Sequence, residues 1–211
     1  MTKLSEYLKK FEEFCELHGD AYEIDLERVK SLITEKSKHV FFIKDLPSTE
    51  QDFNKEEQVY LIDLSEVLIS DGVNVEVKNH FRNNNSTAVK VTVSRFDHDY
   101  SVEYLGRAPS LDWVVCCHIP DVDVIEEYLF PDVSYKDMSP EVLSWLDAYQ
   151  DWRSSQYSKY YDYLVQAGGY GYFVQRNLRN FVCQLNLEIG DGGSLYVWLD
   201  NGEPNITLQM Y

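Results

Sequence analysis

The chain has 211 residues, of which 44% are hydrophobic and 14% aromatic, so it can bury a core without disulfides or structural metals. Its formal net charge of -17 at pH 7 repels nucleic acids and anionic membranes and attracts basic partners. Residues 97–151 hold most of the excess, with 13 acidic and 2 basic residues. We therefore expect neither a nucleic acid nor a membrane partner. The plainer explanation of this charge is a solvated acidic surface that aids solubility.

The pattern of the first half predicts two helices followed by a sheet. Apolar residues recur every three or four positions over residues 4–15, which predicts an amphipathic helix that ends at Gly19. A second helix starts near Asp25. The apolar run 39–43 predicts a strand, and the polar segment 46–58 predicts a loop.

Further strands follow in the middle of the chain. Residues 59–63 form a short apolar run, and residues 73–77 and 87–93 alternate with a period of two, which favours strands. The asparagines at 83–85 predict a turn between them, because Asn tolerates positive φ. Residues 113–119 are apolar throughout and predict a strand covered on both faces.

The character of the chain then becomes helical. Residues 122–130 predict one helix. Ser139 as N-cap and Pro140 in the first turn predict the start of a long second helix that runs to about residue 165. Gly168-Gly169 is expected to end it.

The last part of the chain predicts a three-stranded meander. Its strands are expected at 181–188, 194–200 and 206–210, with glycine-containing turns at 190–193 and 201–202.

Together these elements predict a single α+β domain over residues 1–211, with a mostly antiparallel, curved sheet. A helical N-terminal part covers residues 1–38 and a sheet-rich part residues 39–119. A long helical segment, 120–166, precedes the C-terminal β-meander at 181–210.

The compartment is predicted from the N-terminus and the cysteines. The first residues lack the apolar run of a signal peptide, and no stretch approaches the ~18 apolar residues of a membrane helix. Cys15, Cys116, Cys117 and Cys183 show no Cys-x-x-Cys spacing, so we expect reduced thiols and a cytoplasmic protein.

The C-terminal third resembles the YwqG-like family of bacterial proteins, whose function is unsettled. The residues that carry the resemblance are Gly168, Gly169, Tyr170, Phe173, Gln175, Cys183, Gln184, Leu185, Gly190, Asp191, Gly192, Gly193, Leu195, Tyr196 and Trp198. Position 171 is Gly, where the family usually has Pro. The resemblance implies an α+β fold with a curved antiparallel sheet and no cofactor. Because such proteins occur near polymorphic-toxin genes, it also implies an immunity or partner-binding role.

Three acidic or histidine-containing segments could carry chemistry, and each has a structural explanation. Asp97-His98-Asp99, flanked by Phe96 and Tyr100, predicts an exposed turn or polar strand end. In a strand the histidine would point away from both carboxylates, so a metal site shared by the three is not expected. Asp121 and Asp123 lack the central glycine of a calcium loop and are expected to cap the next helix. His118 ends an apolar run and is expected to be a paired core or rim histidine.

The glycine-rich turns are interpreted as structural. A phosphate-binding loop opens a helix, whereas strand patterns flank Asp191 on both sides. Gln175 and Gln184 are expected to bond turn backbone. The predicted structural-turn residues are Gly168, Gly169, Tyr170, Gln175, Gln184, Asp191, Gly192 and Gly193. No catalytic residue, metal ligand or cofactor is assigned, since no recognised catalytic or metal-binding motif occurs.

The helix around residue 150 carries more aromatic residues than a core face needs, so part of it is expected to face a partner. The predicted partner-binding residues are Asp147, Tyr149, Asp151, Trp152, Tyr157, Tyr160 and Tyr161. The competing interpretation is a helix buried between the sheet and loops.

Three functions remain open at this point. The first is a non-catalytic cytoplasmic protein that binds a basic protein partner, in its sharpest form an immunity-type protein. The second is a small-molecule-binding protein or hydrolase with a pocket near the turn at 168–175. The third is a nucleic-acid mimic that occupies a DNA-binding site. The oligomeric state is left open.

Overall fold

The computed structural model describes residues 4–18, 24–46, 57–94, 99–160, 162–169, 180–187 and 193–210. Its helices are α1 (Leu4–His18), α2 (Leu26–Lys36), α3 (Ser65–Ile69), α4 (Val75–Asn83), α5 (Val122–Leu129) and α6 (Pro140–Tyr157). Its strands are β1 (Lys38–Ile43), β2 (Glu57–Asp63), β3 (Ala88–Ser94), β4 (Asp99–Leu105), β5 (Val114–His118), β6 (Val165–Gly168), β7 (Phe181–Leu187), β8 (Gly193–Asp200) and β9 (Glu203–Met210). Helices combined with antiparallel sheets confirm the predicted α+β class.

The chain divides into two compact units, each built from two separate stretches. The first contains Met1–Lys38 and Cys116–Tyr161, and the second His39–Val115 and Asp162–Tyr211. The first unit is helical and the second holds most of the strands. The number of domains stays a prediction.

The first unit has an aromatic core between α1 and α6. α1 buries Tyr7, Phe11 and Phe14 on one face, as its apolar spacing predicts. The Phe14 ring meets that of Trp145 on α6 at 5.8 Å between centroids. Ser139 caps α6 as predicted, because its hydroxyl accepts a hydrogen bond from the Val142 amide at 3.3 Å.

The second unit contains two antiparallel sheets. One has the strand order β2-β3-β4, and in the other the strands β1, β6, β7, β8 and β9 are neighbours in that order. Inward-facing side chains of both sheets belong to one apolar cluster, which includes Ile62, Val91, Leu185, Leu195 and Val197. The predicted C-terminal meander is confirmed as β7-β8-β9. Asn201 and Gly202 both have positive φ in its last turn, as this hairpin type requires.

The predicted strand at 73–77 is wrong, because α4 starts there. The Asn74 side chain caps this helix by accepting a hydrogen bond from the Val77 amide at 2.9 Å. Val77 and Phe81, four residues apart, are its buried positions, whereas Val75 is 67% exposed. Valines at positions 73, 75 and 77 gave the alternating pattern of a strand, but Val73 is buried ahead of the helix and only Val77 is buried within it.

The prediction of a helix to residue 165 is also wrong. α6 ends at Tyr157, a short 3-10 turn covers Ser158–Tyr160, and β6 follows. β6 pairs with β1 and β7, so Val165 and Ala167 enter the core of the second unit. The apolar spacing before residue 165 fitted a helix and a strand equally well, and strand pairing decided between them.

Two elements were not predicted, β4 and the short helix α3. Residues 97 and 98 of the predicted turn at 97–99, and residues 190–192 of the predicted turn at 190–193, lie outside the described residues. Asp99 and Gly193 are the first residues of β4 and β8, which corrects the prediction of a turn at these two positions. The predicted turn at 83–85 is confirmed for Asn84 and Asn85, with Asn85 at φ 50°, whereas Asn83 is the last residue of α4. In the part of the chain that the structure describes, no helix has the length and apolarity needed to span a bilayer.

Candidate functional site

A groove between α1 and α6 is the candidate site, and we call it the α1/α6 groove. It is open to solvent and has a volume of about 630 Å³. Its α1 wall consists of Lys10, Glu13, Phe14, Leu17 and His18, and its α6 wall of Ala148, Asp151, Trp152, Ser155 and Gln156. Both walls follow the spacing i, i+3, i+4, i+7, i+8, so each is one stripe of a helix surface.

The floor of the groove is apolar and aromatic. The rings of Phe14 and Trp152 lie 5.4 Å apart between centroids, and His18 stacks on Phe14 at 4.8 Å. Leu17 stands at the α1 side with 81% of its surface exposed. The apolar part of the groove therefore consists of the exposed Leu17 and the half-buried Trp152, next to the buried ring of Phe14.

Carboxylates flank this floor on both helices. Glu13 and Asp151 line the groove, and Glu16 and Asp147 lie one position away from lining residues. All four are exposed, and within the described residues none of them forms an ion pair. The wall's lysine, Lys10, donates instead to the Gln156 amide oxygen at 2.9 Å. The groove therefore combines an apolar floor with carboxylates that form no ion pair with the described residues.

The structure places some of the predicted partner-binding residues at the surface and buries others. Asp147 and Asp151 are exposed, and Trp152 is half-buried in the groove. Tyr149, Tyr157 and Tyr160 are buried, at 0%, 6% and 7% exposure, so the expectation that they face a partner is wrong. Tyr161 lies outside the described residues.

The three buried tyrosines hold the interior of the first unit through their hydroxyls. Tyr149 donates to the Pro120 carbonyl at 3.0 Å, and Tyr157 accepts from the Ile119 amide at 2.9 Å. The Tyr160 hydroxyl accepts from the Cys116 thiol. A tyrosine can be buried when its hydroxyl has a partner, and this requirement is met only in the folded chain.

A buried arginine extends this polar network. Arg153, 3% exposed, donates from Nε to the Ile119 carbonyl at 3.2 Å and from Nη2 to His118 Nε2 at 3.0 Å. Its Nη1 lies 3.2 Å from Oδ2 of Asp121. Because a guanidinium only donates, Nε2 of His118 must be the acceptor, which places the ring proton on Nδ1. This confirms the prediction of a paired, buried histidine.

The capping prediction for Asp121 needs correction. Asp121 occupies the N-cap position of α5, but its side chain makes no capping hydrogen bond. Its carboxylate pairs with Arg153 instead. A buried guanidinium left without its counter-ion is costly, whereas exposed amides at a helix start can bond to water, so the ion pair takes precedence.

The network keeps its members in fixed protonation states. Burial, the Arg153 guanidinium and Lys38 together hold the pKa of His118 well below its usual range. Burial raises the pKa of Tyr157 well above its usual range. His118 is therefore neutral near pH 7, and the buried donors and acceptors serve the packing of the unit.

The predicted structural-turn residues are partly described. Tyr170, Gln175, Asp191 and Gly192 lie outside the described residues. Gly193 begins β8. Gly168 and Gly169 have φ of 64° and 70°. Gly168 is the last residue of strand β6 and Gly169 follows it, so they do not end a helix, which corrects the prediction.

Gln184 was expected to form a hydrogen bond with the backbone of a turn. The structure places it instead in a network of side chains on β7 and β8. Its Nε2 donates to Oδ1 of Asn186 at 2.6 Å, and the Ser194 hydroxyl donates to the same oxygen at 2.8 Å. Asn186 Nδ2 donates to the Tyr163 carbonyl at 2.9 Å, which fixes the orientation of this amide. Asn186 is therefore the partner of Gln184, and the predicted pocket near 168–175 falls largely outside the described residues.

Sequence reasoning missed the α1 wall of the groove. Leu17 and His18 continue the stripe that starts at Lys10, and the apolar pattern of α1 is thus wider than a single core face. An apolar residue outside the core face, Leu17, was therefore the feature of the sequence that could have indicated the α1 wall. Among the described residues, no group of three or more His, Cys, Asp or Glu side chains could hold a metal ion.

Comparisons with known proteins do not add a family. A scan against protein-family models finds no match, and searches of curated proteins and of solved structures find none either. The resemblance of the C-terminal third to the YwqG-like family stays a prediction.

Proposed function

We propose that this protein is a non-catalytic binding protein that holds a basic protein partner in the α1/α6 groove. The observation that supports this most is the apolar floor at Phe14, Leu17 and Trp152 beside unpaired, exposed carboxylates. Apolar contacts supply most of the affinity of such an interface. The carboxylates select positively charged partners and speed the encounter.

In its sharpest form, this is a cytoplasmic immunity-type protein that neutralises a basic toxin domain. The acidic balance of the chain and the resemblance of its C-terminal third favour this form. Cys15, Cys116, Cys117 and Cys183 are all free thiols, which favours a reducing compartment.

A charge-reversal pull-down tests the proposal. The double variant Asp147→Lys/Asp151→Lys should lose a partner that the wild-type protein captures from lysate of the source cells. The loss is expected because Asp151 lines the groove and Asp147 is adjacent to the lining residue Ala148, so that reversed charges at both positions repel a basic surface. Bound proteins are eluted with rising salt and identified by mass spectrometry.

The matched control is Glu127→Lys/Asp132→Lys, which changes the net charge equally at two exposed residues of the same unit outside the groove. The control should retain the partner. If both double variants lose it equally, the overall charge and not the groove is responsible. If neither loses it, the groove is not the binding site.

A further inference from the structure

We infer that the segment of the partner that occupies the α1/α6 groove is a basic amphipathic α-helix. This inference rests on the proposed function and adds the form and chemistry of the bound segment. Its apolar residues would contact Phe14, Leu17 and Trp152, and its Lys or Arg residues would face Glu13 and Asp151.

The dimensions of the groove match a helix. Each wall spans nine residues of a helix, from position i to i+8, which corresponds to about 12 Å of axial length. Two adjacent stripes of this length form a surface on which a third helix can pack by inserting its own side chains at i, i+3, i+4 and i+7. The volume of about 630 Å³ accommodates side chains of such a helix but not a folded domain.

The backbone chemistry of the walls also favours a helix over an extended segment. Both walls are helices, whose main-chain N–H and C=O groups are bonded within each helix except in its first and last turns. An extended segment in the groove would find no strand edge with which to pair its own backbone groups. A helix satisfies these groups internally and presents only side chains.

Charge decides between a basic helix and a second copy of this chain. A self-associated pair would place Glu13, Glu16, Asp147 and Asp151 of each copy near the same acidic groups of the other, which is unfavourable. Two copies of the chain also repel each other, because each has a net charge of -17. Lysine or arginine on the flanks of the incoming helix pairs with these carboxylates.

Three synthetic peptides of equal length test the inference with the full-length protein. The first carries leucine at helical spacing with lysine elsewhere, the second has the same composition in scrambled order, and the third replaces lysine by glutamate. Binding is measured by fluorescence anisotropy at low and moderate salt. We expect the striped lysine peptide to bind at least about tenfold more tightly than either of the others.

Substitutions in the protein test whether the striped lysine peptide binds in the α1/α6 groove. Asp147→Lys/Asp151→Lys should weaken the striped lysine peptide by about tenfold or more, and Glu127→Lys/Asp132→Lys by less than about twofold. Leu17→Ser should weaken it as well, whereas Ile69→Ser, a matched change at an exposed residue of the second unit, should not. Circular dichroism checks that each variant is folded.

The outcomes separate this inference from the proposed function. Equal affinity for the striped and scrambled peptides, still dependent on Asp147 and Asp151, would overturn the helix and retain a basic partner. Equal affinity for the lysine and glutamate peptides would overturn the charge selection on which both depend. Absence of binding by the striped lysine peptide would overturn the helix alone, since the pull-down tests the proposed function separately.

Discussion

Arg153 lies in the core of the first unit because each of its three nitrogens has a partner. Nε, Nη2 and Nη1 face the Ile119 carbonyl, His118 and Asp121, respectively. This arrangement connects α6 to the segment between β5 and α5 and leaves His118 as a neutral acceptor. A positive charge on that imidazole would lie within hydrogen-bonding distance of the guanidinium, and two like charges this close are strongly unfavourable at a buried site.

The stability of the protein should decrease below pH ~6.5 because of His118. The pKa of His118 is well below 6.5 in the folded protein and returns to about 6.5 on unfolding, so the unfolded state binds more protons below that pH. The stability that the neutral histidine provides is present above pH ~6.5 and is lost as pH falls below it. The contribution of this residue changes by up to about 1.4 kcal/mol per pH unit.

Urea unfolding at pH 7.0, 6.0 and 5.0 measures this effect in the wild-type protein and in His118→Gln. The glutamine variant keeps an acceptor for Arg153 but cannot be protonated, so its free energy of unfolding should fall less steeply with pH. The other histidines and the carboxylates contribute to both curves alike. Parallel curves would show that His118 is not protonated differently in the two states.

At the scale of elements, close backbone approach sets the position of β6 in the second unit. The Gly169 amide donates to the Gly72 carbonyl at 2.8 Å, and a Cβ on Gly168 would lie 3.1 Å from the Gly72 carbonyl carbon. A Cβ on Gly72 would lie 2.4 Å from the His39 carbonyl oxygen. Glycine is needed at positions 72 and 168 because two backbone segments approach each other closely here. The prediction that Gly168-Gly169 ends a helix did not include this reason.

Gly72→Ala should therefore destabilise the protein by about 1–3 kcal/mol, because the methyl group forces the backbone at His39 to move. The matched control is Gly106→Ala, where the nearest atom to the new Cβ is 3.8 Å away. That change should be neutral or stabilising by up to about 1 kcal/mol. Chemical denaturation of the two variants checks the difference, and equal effects would contradict the close approach.

At the scale of the whole molecule, negative charge dominates the surface. The ion pairs between described residues include Lys30–Glu12, Lys36–Glu35 and Lys90–Glu103, all with exposed carboxylates. Exposed pairs contribute little to stability, so they do not offset the mutual repulsion of a net charge of -17. Salt screens this repulsion over distances beyond about 10 Å at 0.1 M.

Thermal stability should accordingly rise with ionic strength. We expect an increase in Tm of about 2–4 °C between 20 and 300 mM NaCl at pH 7, which corresponds to roughly 1 kcal/mol for a protein of this size. Differential scanning calorimetry measures it, and Asp147→Lys/Asp151→Lys should show a smaller rise. A Tm that falls with salt would mean that attractive ion pairs outweigh the repulsion.

Local sequence signals determined the elements whose ends and faces are set within a few residues. Ser139-Pro140 marked the start of α6, the spacing of Tyr7, Phe11 and Phe14 marked α1, and Asn201-Gly202 marked the last hairpin. Capping, amphipathic spacing and turn chemistry depend on neighbours along the chain, so they can be read from it.

Tertiary structure decided what depends on distant partners. Residues 165–168 became a strand because β1 and β7 lie on both sides of them. The wrong strand at 73–77 has a local cause instead, since the capping side chain of Asn74 bonds the amide of Val77 only three residues away. The aromatic residues of α6 were separated into buried tyrosines and a half-buried Trp152 by hydrogen-bond partners 29 to 44 positions away. The sequence by itself determined the α+β class and the acidic balance. The α1/α6 groove exists only because packing brings two stripes together that are more than a hundred residues apart.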